Sequence, residues 1–196
     1  MSKTMFRQVP KTGVIFTTAS AMKLGFYRGH PDWCNFGQGQ PETGFLDGGL
    51  ERISHIHIDE GDHEYAPVGG LLELREAIAN MYNTLYRKNK KSKYTAENVS
   101  IAGGGRTILT RLVAAIDTIN LGHFLPDYTA YEELLSTFKG FNTIPIMLDP
   151  DNGYTFSHQD LRKEIQGKGL GAVLASNPCN PTGKTISGRH LREWIK

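Results

Sequence analysis

Four short apolar runs, at residues 99–102, 122–125, 143–148 and 172–176, alternate with stretches whose apolar side chains recur every three or four residues. That alternation constrains the chain more than any other feature. Runs of four to six residues bounded by glycine-rich or polar connections have the length of strands, and a period of 3.6 is that of helices. The clearest helical stripe spans residues 70–87, where Leu71, Leu74, Ile78, Met81, Tyr82 and Leu85 share a face. Further helices are expected through Ile108, Leu112, Val113 and Ile116, near residues 131–138 and near residues 160–165. Strands that alternate with helices form parallel sheets with crossover connections, so the expected class is α/β.

Length and charge narrow the partners. The chain has 196 residues, 39% of them hydrophobic, which is enough for one globular core or somewhat more. Its formal net charge of +2 is too mild to imply nucleic acid or an anionic membrane as the main partner. The basic cluster RKNKKSK at residues 87–93 falls at the end of a helical pattern, where cations suit the dipole and solvent. Cys34 and Cys179 have neither metal-ligand spacing nor disulfide density, which fits a reducing compartment. No stretch reaches the roughly 20 apolar residues of a membrane span. The early run VIFTTASAM is too short and too rich in hydroxyls for a signal peptide, so a cytoplasmic protein is expected. His55 and His57 alternate, but no third ligand is spaced to join them, and no metal is expected.

In open parallel sheets ligands gather at the carboxyl ends of strands. Three loops there carry unusual residues. Gly103, Gly104 and Gly105 precede a helix, and bare amides at a helix N-terminus can seat a phosphate. The dinucleotide fingerprint fails, because Ile108 stands where its third glycine belongs; a Walker loop fails because Pro178 occupies its upstream glycine position. Pro126, Asp127 and Tyr128 follow the second run, and an aromatic at that place can stack on a planar ring or simply pack at a rim. SNPCNPTG, residues 176–183, follows the last run, and its two Asn-Pro pairs restrict the backbone enough that one is expected to be cis. Its asparagines can aim an amide at a ligand atom.

Taken together, GQGQP (37–41), YAPVGGLLELREAIA (65–79), IAGGGRTIL (101–109), PDY (126–128) and NPCNPTG (177–183) resemble the aspartate aminotransferase superfamily, the fold-type I enzymes dependent on pyridoxal phosphate. The resemblance extends over almost the whole chain in order and spacing. It implies a three-layer α/β/α fold around a mostly parallel sheet, incomplete in this chain. Residues 1–46 would form an N-terminal segment on the small-domain side, at the active-site entrance, and residues 47–196 the first part of the cofactor-binding large domain.

The resemblance also implies roles. Gly104, Gly105 and Arg106 would bind the phosphate of pyridoxal 5'-phosphate, although an arginine departs from the small or amide residues usual at that place. Tyr128 would stack on the pyridine ring, and Asn180 would donate to the ring's phenolic oxygen, with a cis bond before Pro181. Tyr65 would reach the phosphate of a neighbouring subunit, which implies a homodimer, and Gly39 would offer its amide to the substrate's α-carboxylate. The implied activity moves an amino group between an amino acid and a 2-oxo acid. Carbon-sulfur lyases, decarboxylases and cyclopropane-forming synthases share these loops and stand as alternatives, as does a non-catalytic truncated product.

No catalytic residue is expected within the chain. The family's Schiff-base lysine, the aspartate beneath the pyridine nitrogen and the arginine that grips the substrate carboxylate would all lie beyond Lys196. Lys184 follows the turn directly and is given no catalytic role. A final helix after Ser187 carries Leu191, Trp194 and Ile195 without a closing cap, so the sequence is expected to be the N-terminal part of a longer protein, with that apolar face exposed. The implied strand order, 3-2-4-5-6-7-1, would leave the run at 99–102 without a neighbour.

Overall fold

A computed structural model of the chain describes residues 11, 13–37, 39, 44–135, 140 and 142–196. The chain divides into two compact units, Met1–Ile56 and His57–Lys196.

In the first unit, helix α1 spans Gly13–Lys23 and buries none of its residues. The amides of Leu24 and Phe26 both donate to the Ala21 carbonyl, closing the helix end. Beyond it the rings of Phe26 and Trp33 lie 5.5 Å apart, and Tyr27 packs on His30 at 4.7 Å. The hydroxyl-rich run that gave no clear period in the sequence is thus helical, with Thr17 Oγ1 bonded back to the Gly13 carbonyl. Such back-bonding satisfies a hydroxyl within the helix and is invisible to hydrophobic periodicity.

The second unit is built on three parallel strands, β1 (Asn120–Leu125), β2 (Asn142–Met147) and β3 (Leu170–Leu174), in the order β2-β1-β3. The central strand β1 is buried over four consecutive residues, as expected of a strand covered on both faces, whereas β2 is mostly exposed. Successive residues of β1 point to opposite faces. On one face Leu121 packs with Val113 of helix α3 (Gly105–Ala115) and Leu135 of helix α4 (Thr129–Leu135). On the other, Phe124 packs with Ile146, Leu170 and Leu161, the last from helix α5 (His158–Lys168). Helices therefore cover both faces of a parallel sheet, which is the three-layer arrangement.

Helix α5 is well delimited. Ser157 and Asp160 form a reciprocal capping box at its start, and Gly169 ends it in the left-handed conformation. The hydrogen bonds from the Ser157 hydroxyl and amide hold the Asp160 carboxyl below its ordinary value.

Helix α6 (Gly188–Trp194) begins after Ser187, whose side chain makes no capping hydrogen bond. The expected exposed face of this helix is only partly so. Trp194 stacks on Phe124 at 5.6 Å, meets Phe156 at 5.9 Å, and donates its indole N–H to the Phe156 carbonyl at 3.3 Å. Ile195 remains 76% exposed.

The run at 99–102, expected as a strand left without a neighbour, does not form a strand. Among the described residues it pairs with no strand; the Ile101 amide donates instead to the Gly69 carbonyl at 2.9 Å. Strand β1 has both of its edges filled by β2 and β3, and the run joins neither of their outer edges. Segment 94–101 is held against helix α2 (Leu72–Tyr86) by side-chain hooks. Arg75 donates to the carbonyls of Ala96 and Val99, and Asn83 exchanges two 2.8 Å hydrogen bonds with the backbone of Tyr94. Lys93 donates to the carbonyls of Arg87 and Lys88 at the end of α2, so this part of the basic cluster caps a helix C-terminus. No described helix is long and apolar enough to cross a membrane.

Candidate functional site

At the carboxyl end of the sheet two loops are joined directly. β1 ends at Leu125, and Asp127 follows two residues later, 8% exposed. β3 ends at Leu174, and Ser176 follows two residues later. The strands are neighbours, so residues two beyond their ends come within reach of each other. The Ser176 amide donates to Asp127 Oδ2 at 3.0 Å, and the Ser176 hydroxyl donates to Asp127 Oδ1. The Tyr128 amide also donates to Oδ1, at 2.6 Å. Cys179 Sγ lies 3.6 Å from the Pro126 carbonyl, a second link between the loops.

The turn at 176–184 is closed by its own bonds. Peptide bonds 177–178 and 180–181 are both cis, as is 125–126. The Cys179 amide donates to the Lys184 carbonyl and the Gly183 amide to the Cys179 carbonyl, both at 2.8 Å. Asn177 uses both ends of its amide on one residue, donating to the Ile186 carbonyl and accepting from the Ile186 amide, each at 2.8 Å. It therefore acts as a piece of backbone. Asn180 is exposed, and its amide makes no hydrogen bond among the described residues. The two asparagines of the turn are thus separated by geometry: Asn177 closes the turn, and Asn180 takes no part in closing it.

Tyr128 is exposed and meets Tyr131 edge-on at 5.5 Å, which leaves a ring face outside that contact. Asp127, Ser176, Cys179 and Thr182 line a cavity of about 90 Å³ together with Phe124 and Trp194. That volume suits water and is well below the several hundred cubic ångströms of a cofactor pocket. A cofactor would have to lie on the open side of the loops.

The glycine loop forms the N-terminus of α3. Gly104 sits at the cap with φ +111°, a conformation that L side chains rarely adopt. A β-carbon on Gly103, Gly104 or Gly105 would meet nothing within 4 Å, so the loop backbone borders open space, although the Gly104 amide donates to the Ala102 carbonyl at 2.8 Å. The first amides of a helix have no intrahelical partner and attract anions. Intrahelical bonding starts with the amides of Thr107 and Ile108 on the Gly104 carbonyl. Arg106 is engaged within the chain. The loop is also tied to the YAPVGG segment, because Gly69 accepts from Ile101 and Gly70, with φ +96°, lies so close that its β-carbon would stand 2.5 Å from Ile101.

Tyr65 is fully exposed, just after a short 3-10 turn (Glu60–His63) that Asp59 and Asp62 cap reciprocally. The acidic residues Asp59, Glu60, Asp62 and Glu64 thus form an internally capped, exposed turn. Gly39 belongs to the first unit and has nothing within 4 Å of its β-carbon position; Gln38, Gln40 and Pro41 of the same motif lie outside the described residues. Among the described residues no group of three or more His, Cys, Asp or Glu is placed to hold a metal ion. Direct bonds thus join the Tyr128 and Asn180 loops, while the glycine loop is tied to the YAPVGG segment and Tyr65 is exposed. Asp127, Ser176 and the closing role of Asn177 had no signal in the sequence beyond polar residues at the ends of adjacent strands.

A parallel sheet with helices on both faces is the α/β architecture in which ligands gather at the loops beyond the carboxyl ends of the strands. Residues 31–196 match the family of aminotransferases of class I and II, and the chain belongs to that family. It is 27% identical over 166 residues to a probable aspartate/prephenate aminotransferase of Aquifex aeolicus, covering 83% of this chain and 40% of that protein. It is 29% identical over 167 residues to an aspartate aminotransferase of Sulfurisphaera tokodaii, with the same coverage of 83% and 40%. Among solved structures, an aminotransferase from Mycobacterium tuberculosis superposes with a TM-score of 0.70 at 25% identity, over 95% of this chain and 46% of that one. The aspartate aminotransferase of Thermus thermophilus with maleate superposes with a TM-score of 0.58 at 27% identity, over 69% and 34%. The chain spans about two-fifths of the length of these curated relatives.

Proposed function

We propose that this chain supplies the cofactor loops of a pyridoxal-phosphate-dependent aminotransferase that moves an amino group between an amino acid and a 2-oxo acid. The observation that carries the reading is the division of labour in the turn after β3, where Asn177 is consumed by Ile186 and Asn180 is left uncommitted in a turn bonded to the Tyr128 loop. The donor set fits the group. The uncrowded glycine loop at the N-terminus of α3 suits a phosphate, with the amides after Gly104 as its donors, the exposed face of Tyr128 suits a flat ring, and the Asn180 amide suits a ring oxygen.

Pyridoxal phosphate, when bound, supplies an electron sink for the bonds of an amino acid's α-carbon. The chain's residues orient it. Gly104, Gly105 and Arg106 hold the phosphate, Tyr128 fixes the ring plane, and Asn180 donates to the phenolic oxygen, which favours its anionic form. Gly39 offers its amide to the substrate carboxylate. Tyr65, fully exposed, serves the phosphate of a second copy in a homodimer. The protein works in the cytoplasm, and the names of its relatives make aspartate the first amino donor to try.

The test compares Asn180→Ala with Asn177→Ala in the intact protein. Amino transfer from aspartate to a 2-oxo acid and retention of added pyridoxal phosphate are measured first in the unsubstituted protein. Asn180→Ala is expected to raise the pH midpoint of the bound cofactor's absorption and to weaken retention by about 1.5 to 3 kcal/mol, without lowering the unfolding midpoint. Asn177→Ala is expected to lower the unfolding midpoint. Identical titrations for Asn180→Ala and the parent would remove Asn180 from the site.

A further inference from the structure

We infer that Asp127 is a positioning residue, whose carboxylate latches the loop bearing Tyr128 to the turn bearing Asn180 so that the two address the cofactor as one body. The inference rests on the proposed pyridoxal-phosphate reading and adds to it a residue that touches no ligand. Asp127 is nearly buried at the end of β1 and accepts three hydrogen bonds: the amide and hydroxyl of Ser176 on one side and the amide of Tyr128 on the other. Ser176 is 49 residues away in sequence and four residues before Asn180. One carboxylate therefore spans the junction from the ring-facing aromatic to the ring-edge amide. Hydrogen bonds to a charged acceptor are shorter and about twice as strong as neutral ones, which suits a joint that must hold position.

The geometry separates three substitutions. Asp127→Asn is nearly isosteric, but an amide offers only one accepting atom. If its oxygen keeps the bonds of the Ser176 hydroxyl and the Tyr128 amide, its NH2 group faces the Ser176 N–H, donor against donor. Ser176→Ala removes only the hydroxyl bond, and Ser176→Thr keeps it.

The experiment uses the intact protein and pyridoxal phosphate as the probe. Its readouts are the cofactor's dissociation constant, the visible circular dichroism of the bound ring, the pH midpoint of its absorption, and the unfolding midpoint without cofactor. Asp127→Asn is expected to weaken binding about tenfold or more, diminish the visible circular dichroism and move the pH midpoint. Ser176→Ala should do so by less, and Ser176→Thr should restore parental values. The ring's dichroism reports orientation, which a general loss of stability does not move in a protein that still binds. Should Asp127→Asn fail to fold, the Ser176 pair carries the test. Parental dichroism and pH midpoint in both Asp127→Asn and Ser176→Ala, with only the unfolding midpoint lowered, would overturn the latch and leave the cofactor reading standing. Failure of the parent itself to bind pyridoxal phosphate would overturn both.

Discussion

Helix α2 and helix α5 belong to the same unit and carry similar apolar periodicity, yet they are held by opposite means. α5 lies on the sheet, where its Leu161 joins Phe124, Ile146 and Leu170 in the core. α2 buries only Ala79; Leu71, Leu74, Met81, Tyr82 and Leu85 along its stripe are exposed. What fastens α2 is polar: the Arg75 guanidinium on the Ala96 and Val99 carbonyls and the Asn83 amide on Tyr94. Apolar burial is nondirectional and tolerates small shifts, whereas hydrogen bonds fix one register. The sheet thus gives the unit its stability, and the hooks give segment 94–101, which leads into the glycine loop, its position.

The largest expected effect tests the sheet side. Ile146 is 1% exposed, and Ile146→Ala should destabilise the unit by about 2 to 5 kcal/mol in denaturant unfolding. A loss under about 1 kcal/mol would mean that this core does not dominate. Next comes Arg75→Ala, which takes the guanidinium from the Val99 carbonyl and leaves the Ala96 carbonyl with only the Val99 amide, and should cost about 1 to 3 kcal/mol. Its signature is local: hydrogen exchange should quicken at residues 95–102 while the amides of β1 and β3 keep their protection. Quickening throughout the sheet would merge the two regions into one cooperative body. The smallest effect belongs to Leu85→Gln, on the exposed stripe of α2 and expected to change the stability of this chain by no more than about 0.5 kcal/mol. A cost above about 2 kcal/mol would show that the stripe is covered after all.

The same contrast explains what could be read from the sequence. Helices α2, α3 and α5 and strands β1, β2 and β3 were legible because period and length are local properties. The parallel class followed from their alternation, and the family and its loops from five motifs taken together. Pairing is not local, and there the reading ended. The run at 99–102 has the composition of a strand but pairs with none of β1, β2 and β3, and its Ile101 amide bonds to Gly69 instead. Trp194 was expected on an open face because nothing near it in sequence announces Phe124 and Phe156. Residue type alone does not separate the two asparagines of the turn; the resemblance implies a role for Asn180, and the bonds to Ile186 show what Asn177 does. Asp127 and Ser176 meet because β1 and β3 are neighbours, a fact of sheet order.

The closure of the turn by Asn177 also bears on how a ligand is met. Ordering a side chain at the moment of association costs about 0.5 to 1.5 kcal/mol, and fixing a residue's backbone costs a comparable amount. With Cys179, Gly183 and Ile186 already bonded in the chain by itself, that entropy is surrendered during folding and does not recur with each molecule that arrives. The turn is preorganised, so its contribution to affinity should show little dependence on how mobile the rest of the loop edge is.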